Sequence, residues 1–156
     1  MRYWFTTHWP RIKGGRDTLH IYLREEYKDA APGLAPGDRV LIYEFRDGPR
    51  LQTPSGVIRR EPGAGGVICE AKVATALKPR PSNQSHETYV GGRIANWAWI
   101  AETEERQFGL IPGSRVKQLL GYQQNYHFRG FNNGKGIMEL DADQYHRLMS
   151  EFRKAI

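Results

Sequence analysis

The segment Tyr3-Trp4-Phe5-Thr6-Thr7-His8-Trp9-Pro10 leaves its backbone few choices. Aromatic and β-branched side chains favour a pleated, covered surface, and Pro10 has no N–H to continue a ladder, so residues 2 to 8 read as a strand ending at a proline corner. It is answered by the turn Pro36-Gly37-Asp38 and by Arg39 to Phe45, an apolar run bounded by charge and the clearest strand of the chain. Two such strands demand a sheet with a covered face. Trp4, between Tyr3 and Phe5, is expected in the core, because a buried indole contributes so much packing area.

At 156 residues the length is that of one domain, 1–156, large enough to bury a core without disulfides or metals. Lysine and arginine number 23 against 17 acids, a formal net charge of +6, which is the electrostatic footprint of a polyanion binder. The cations are dispersed, with no lysine-rich tail, so a folded positive face is expected in place of a disordered arm. Cys69 is the only cysteine, which excludes an internal disulfide and a cysteine-based zinc site and suits a reducing compartment. No run approaches the roughly 18 apolar residues of a membrane span and no secretory leader opens the chain, so a cytoplasmic protein without membrane contact is expected.

Other elements follow from local pattern. Thr18 to Tyr22 reads as a short strand or turn, Arg24 to Ala31 as a brief helix before Pro32, and Arg46 to Gly56 as a loop. Gly56–Arg60 and Gly66–Ala76 are strand candidates joined by Pro-Gly-Ala-Gly-Gly, which suits a hairpin; Lys78 to Glu87 is expected as an exposed connector. Arg93 to Thr103 alternates in the β sense, with Trp97 and Trp99 on one face. A helix is expected over Ser114–Leu120, capped by its serine and stopped by Gly121. A final helix starts at Asp141, with Tyr145, Leu148, Met149 and Phe152 as its core stripe. The fold class is α+β: a small pseudo-barrel of mixed strands with short helices packed outside.

For chemistry, the proline corner stands out. Where the first strand turns, Thr7, His8 and Trp9 can leave the sheet and line a cavity, and rings beside hydrogen-bonding groups suit a flat polar ligand such as a nucleobase. His8 also fits a plain surface or capping role, and Trp97 with Trp99 either plugs the barrel or offers a stacking platform. Phe128 to Gly136 is rich in glycine but lacks the spacing and the serine or threonine of a phosphate loop; a hairpin turn at Asn133-Gly134 is the better reading. Five scattered histidines form no zinc motif, no nucleophile elbow or carboxylate pair is present, and Cys69 follows Val67 and Ile68 as a buried hydrophobe. No cofactor, metal or catalytic group is expected.

Three blocks resemble the EVE domain, a branch of the PUA-like superfamily that also holds the YTH, ASCH and SRA-type modules. They are Tyr3 to Pro10, then Gly37-Asp38-Arg39-Val40-Leu41-Ile42-Tyr43 with the returning strand Gly66 to Val73, and lastly Phe128 to Leu148. The departures are local: Thr7-His8 stands where the family has lysine-serine, Trp9 where it has an acid, and Tyr22 where a pocket tryptophan is expected. The resemblance implies a pseudo-barrel that holds one nucleobase, usually modified, in an aromatic cage beside a basic surface. On that basis Trp9 and Tyr22 would sandwich the base with Trp97 as a third wall, and Thr7, His8 and Glu44 would read its edge. Arg11, Lys13, Arg16, Arg93 and Arg129 would hold phosphates. The implied partner is DNA or RNA with a flipped, methylated or otherwise modified base, in a prokaryotic setting beside a nuclease or modification enzyme. Two other branches remain open: an ASCH-like amidohydrolase of acylated nucleosides using Thr6 or Thr7, Lys72 and Glu70, and an RNA-binding PUA module indifferent to modification.

Overall fold

The computed structural model describes residues 1–10, 19–47, 51–53, 56–58, 62–80, 87–90 and 93–154, with backbone alone for 51–53, 56–58, 87–90, 93–96 and 153–154. In chain order the strands begin β1 (Tyr3–His8), β2 (Ile21–Leu23), β3 (Arg39–Glu44), β4 (Leu51–Thr53), β5 (Gly56–Ile58) and β6 (Gly66–Val73). They continue β7 (Lys78–Pro79), β8 (Glu87–Val90), β9 (Arg93–Asn96), β10 (Trp99–Ala101) and β11 (Thr103–Pro112). Helix α1 (Gly113–Leu120), β12 (Ile137–Leu140) and helix α2 (Ala142–Lys154) complete the order.

The aromatic strand occupies the interior of the main sheet, whose order is β11-β6-β3-β1-β12. It runs parallel to β3, with Thr7 opposite Tyr43 and His8 opposite Glu44, and antiparallel to β12, with Thr6 opposite Ile137. A strand paired on both edges and covered on both faces has no solvent side, which is why Trp4, Phe5 and Thr6 are all buried in succession. Alternation then divides the core. Phe5, Leu41 and Tyr43 join Val67, Phe128, Leu148 and Phe152 under the two helices, while Trp4, Val40 and Ile42 join Ile21, Leu23, Cys69 and Ala101 under the small sheet β2-β10-β7. Trp4 donates its indole N–H to Asp38 Oδ2 at 2.9 Å, the polar handle that a buried tryptophan requires.

The architecture is α+β, mixed strands with helices packed outside, as expected. The main sheet itself is open: β11 and β12 end it on opposite sides without pairing to each other, and α2 packs against both. A helix covers the seam that hydrogen bonds do not close. Asp141 caps α2 by accepting the Gln144 N–H at 2.7 Å, while Gln144 accepts the Asp141 N–H at 3.0 Å, a reciprocal capping box. No helix among the described residues is long and apolar enough to cross a membrane.

Several local expectations are corrected. The stretch Arg46–Gly56 contains β4, which pairs with β5, so β5 does not form a hairpin with β6; β6 lies between β3 and β11 instead. An eight-residue strand that can pair along both edges gains more ladder than a short hairpin would offer. Helix α1 starts at Gly113 after Pro112 with no side-chain cap, so Ser114 is not its cap, while Gly121 closes it at φ 78°, as a left-handed C-cap should. The Asn133-Gly134 segment turns, with Asn132 and Asn133 at φ 49° and 57°, but forms no hairpin, because β12 takes β1 as its partner. Lys78 to Glu87 begins with β7 and ends at β8; the residues between 80 and 87 lie outside those described.

Candidate functional site

The proline corner of β1 collects four of the rings singled out above. The Trp9 and Trp97 rings meet edge to face, with centroids 5.7 Å apart and planes at 87°. Beside them His8 meets Tyr22 at 5.8 Å, and Tyr22 meets His20 at 6.2 Å. All five are partly buried, so each keeps surface toward solvent. The reason is topological. His8 is the last paired residue of β1, on the Trp4 face that looks toward the small sheet, and Tyr22 is the middle residue of β2 in that sheet. Trp9, one residue beyond, packs against the other core under the helices, so the corner straddles both layers.

Trp97 reaches the cluster by an unexpected route. The strand anticipated over 93–103 is broken: β9 ends at Asn96 and β10 starts at Trp99, so Trp97 and Ala98 form a link and the two tryptophans do not make one stripe. Trp97 turns to Trp9, whereas the Trp99 indole N–H donates to Glu25 Oε2. Each indole carries a cation: Arg24 lies 5.2 Å from the centroid of Trp97, and Lys28 lies 5.9 Å from that of Trp99. The Trp99 hydrogen bond, reinforced by Lys28 at 3.3 Å, holds the Glu25 carboxyl below its ordinary range. Arg24, Glu25 and Lys28 flank and form the 3-10 turn Glu25–Tyr27, which stands where a brief helix was expected.

Glu44, opposite His8 in the ladder, accepts the Ala64 N–H at 2.8 Å and so pins the loop 62–65 over the ends of β1 and β3. The loop packs closely: a Cβ on Gly63 would stand 1.7 Å from the Phe45 carbonyl oxygen and 2.8 Å from the Pro10 ring. Thr7 points away from His8 and Glu44. Alternation puts it on the Phe5 face, where its N–H donates to the Gly136 carbonyl at 2.9 Å and its hydroxyl lies 3.4 Å from the same oxygen. His8 with Tyr22 and Trp9 with Trp97 are therefore two ring pairs joined through the His8–Trp9 peptide, Glu44 adjoins His8, and Thr7 stands on the face opposite His8, the side on which Trp9 packs. Arg129 is exposed on the turn Phe128–Gly130, and no hydrogen bond or ring contact among the described residues joins it to the corner. Arg11, Lys13 and Arg16 lie outside the described residues, as does the side chain of Arg93.

Sequence reasoning did not single out Arg24. Period-two alternation was the available signal, since Arg24 follows Tyr22 by two and its backbone remains extended at φ −73°, ψ 158°. The residues weighed for hydrolysis are engaged in other ways. Glu70 is 1% exposed, held by the Arg39 guanidinium at 2.6 and 2.8 Å and by the Tyr145 hydroxyl at 3.1 Å. Lys72 pairs with Glu104 at 3.8 Å, and the Thr6 hydroxyl donates to Gly136 at 3.0 Å. Among the described residues no group of three or more histidine, cysteine or acidic side chains is placed to hold a metal.

No protein-family profile and no curated protein matches the chain. Solved structures do. A Rhodopseudomonas palustris protein is 10% identical with a TM-score of 0.54, covering 99% of this chain and 94% of its own. A hypothetical protein from Leishmania major is 15% identical with a TM-score of 0.54, covering 99% and 96%. At such identities the likeness is one of fold. Human THYN1, solved in complex with DNA containing 5-methylcytosine, is 12% identical with a TM-score of 0.47, covering 100% of both chains.

Proposed function

We propose that this chain is a non-catalytic, EVE-type module that reads a modified nucleobase in DNA or RNA at the β1 corner. The supporting observation is the perpendicular Trp9–Trp97 pair with the Arg24 guanidinium over Trp97 and the His8–Tyr22 pair alongside. Two indoles at right angles form a wall and a floor for one planar heterocycle, and base–aromatic stacking is worth about 1–3 kcal/mol per base. His8 and Glu44, opposite each other in the β1–β3 ladder, are the proposed readers of the base edge, discriminating by hydrogen bonding. Tyr22 completes the cage, and the net charge of +6 supplies the long-range attraction for phosphates.

A base in a duplex must first be flipped out, at a cost of a few kcal/mol that stacking and edge hydrogen bonds offset. A buried methyl group adds only about 0.8 kcal/mol, so preference for a methylated over a plain base is modest unless the modified base is charged and gains a cation–π contact. A nuclease or a modification enzyme is the proposed partner, because a reader without turnover acts through another protein. Titration of labelled oligonucleotides with and without methylated adenine or cytosine tests the proposal: at low salt one modified form binds best. Equal, negligible binding to all of them ends it, and turnover of N4-acetylcytidine would favour a hydrolase instead.

A further inference from the structure

The small sheet holds an arginine whose guanidinium is unfinished. Arg80 Nη1 is buried and has no hydrogen-bond partner among the described residues. A buried donor of a charged group left unpaired costs stability, so such a group calls for a physical reason, of which completion by an anion is one. Arg80 follows β7, and its backbone N–H donates to the Ala98 carbonyl at 2.7 Å. That bond extends the β10–β7 register, Trp99 opposite Pro79, by one residue. The β10–β2 register, Trp99 opposite Leu23, extended in the same way brings Arg24 opposite Ala98 from the other side.

Arg24, Ala98 and Arg80 thus form one row across the three strands, next to Trp97. With strands about 4.8 Å apart, the two arginine Cα atoms lie roughly 10 Å from each other, with only the alanine methyl between them. Two forked cations about a small residue make a seat for a tetrahedral anion. Of the nearby acids, Glu102 pairs with Lys78 at 3.4 Å, Glu25 is taken by Lys28 and Trp99, and Glu26 pairs with Arg24 at 3.7 Å, an exposed contact that a phosphate would displace.

We infer that Arg80, with Arg24, binds the phosphodiester next to the base held at Trp9 and Trp97. This rests on the reading of the corner as a nucleobase site, and it adds a phosphate contact from a strand that sequence reasoning had not placed there. The Arg24 guanidinium serves both parts, covering Trp97 and facing the anion.

Fluorescence anisotropy of a labelled oligonucleotide over a salt series tests the inference in wild type, Arg80→Gln and Arg80→Met. Both variants bind about tenfold more weakly, the slope of log K against log salt falls by about one, and the ratio of modified to plain base is unchanged. Arg80→Met is at least as stable as wild type in thermal unfolding, since it removes an unpaired buried donor. Unchanged affinity and slope overturn the inference, and so does a marked loss of stability in Arg80→Met, which would make the guanidinium a structural group. Inorganic phosphate, titrated against chloride while the Arg80 guanidinium is followed by nitrogen NMR, separates the two readings. A saturable shift with no oligonucleotide binding keeps the anion seat and sinks the nucleobase site, whereas no shift and no oligonucleotide binding sink both.

Discussion

Asp38 anchors the ends of β1 and β3 that lie away from the corner. It accepts from the Trp4 indole at 2.9 Å, the Ala35 N–H at 3.0 Å and the Arg2 N–H at 3.0 Å, and so ties the turn before β3 to the start of β1. Asp38→Ala leaves a buried indole donor unpaired and is expected to cost about 3 kcal/mol, read as a lower urea midpoint. Gly63 acts at the other end of the same strands. Any Cβ there overlaps the Phe45 carbonyl, so Gly63→Ala displaces the loop that Glu44 pins, and a loss of about 2–3 kcal/mol is expected in thermal unfolding. Neither the Asp38–Trp4 bond nor the Gly63–Phe45 approach was legible in sequence, because each joins residues far apart in the chain that no local pattern brings together.

Elements whose pattern agrees with their packing were legible. β1, β3, β6 and α2 are long, apolar and bounded by proline, glycine or a cap, and each forms close to where pattern assigns it. Short pieces were not, since a three-residue strand such as β4 is chosen by its partner and not by its own propensity. Trp97 and Trp99 illustrate the cost of trusting alternation: the break between β9 and β10 sends them to different cations, and only tertiary contact decides that. Docking of α2 onto the sheet gives a pH-dependent prediction. Burial, and then the negative charge of Glu70, push the Tyr145 hydroxyl up to about 12, while an unfolded tyrosine ionises near ~10. The folded chain therefore binds this proton more tightly, and its contribution is complete below pH ~10 and is lost as pH rises toward 12. Tyr145→Phe removes that share of the alkaline loss; Tyr43 and Tyr122, also raised by burial, leave a residual slope. Melting temperatures of both proteins from pH 9 to 12 check this, and parallel curves would contradict it.

Across the whole molecule, two cores share one central sheet, and the corner where β1 leaves it is the place at which both layers contribute rings. The corner's own residues, His8 and Trp9, were readable from the strand and its proline. Tyr22 and Trp97 were reached through the family resemblance and not through local pattern, because they come from β2 and from the β9–β10 link, whose position depends on the fold as a whole. The net charge of +6 makes affinity for any polyanion fall with salt, so base preference must be judged from ratios at fixed ionic strength. Four tryptophans give four indole N–H signals, and Trp4, buried and bonded to Asp38, is an internal reference. Titration with a short single-stranded oligonucleotide carrying one methylated base is expected to move the Trp9 and Trp97 signals in a saturable manner and leave that of Trp4 in place. Binding that leaves Trp9 and Trp97 unmoved would show that the base is held elsewhere, and the proposed cage would be wrong.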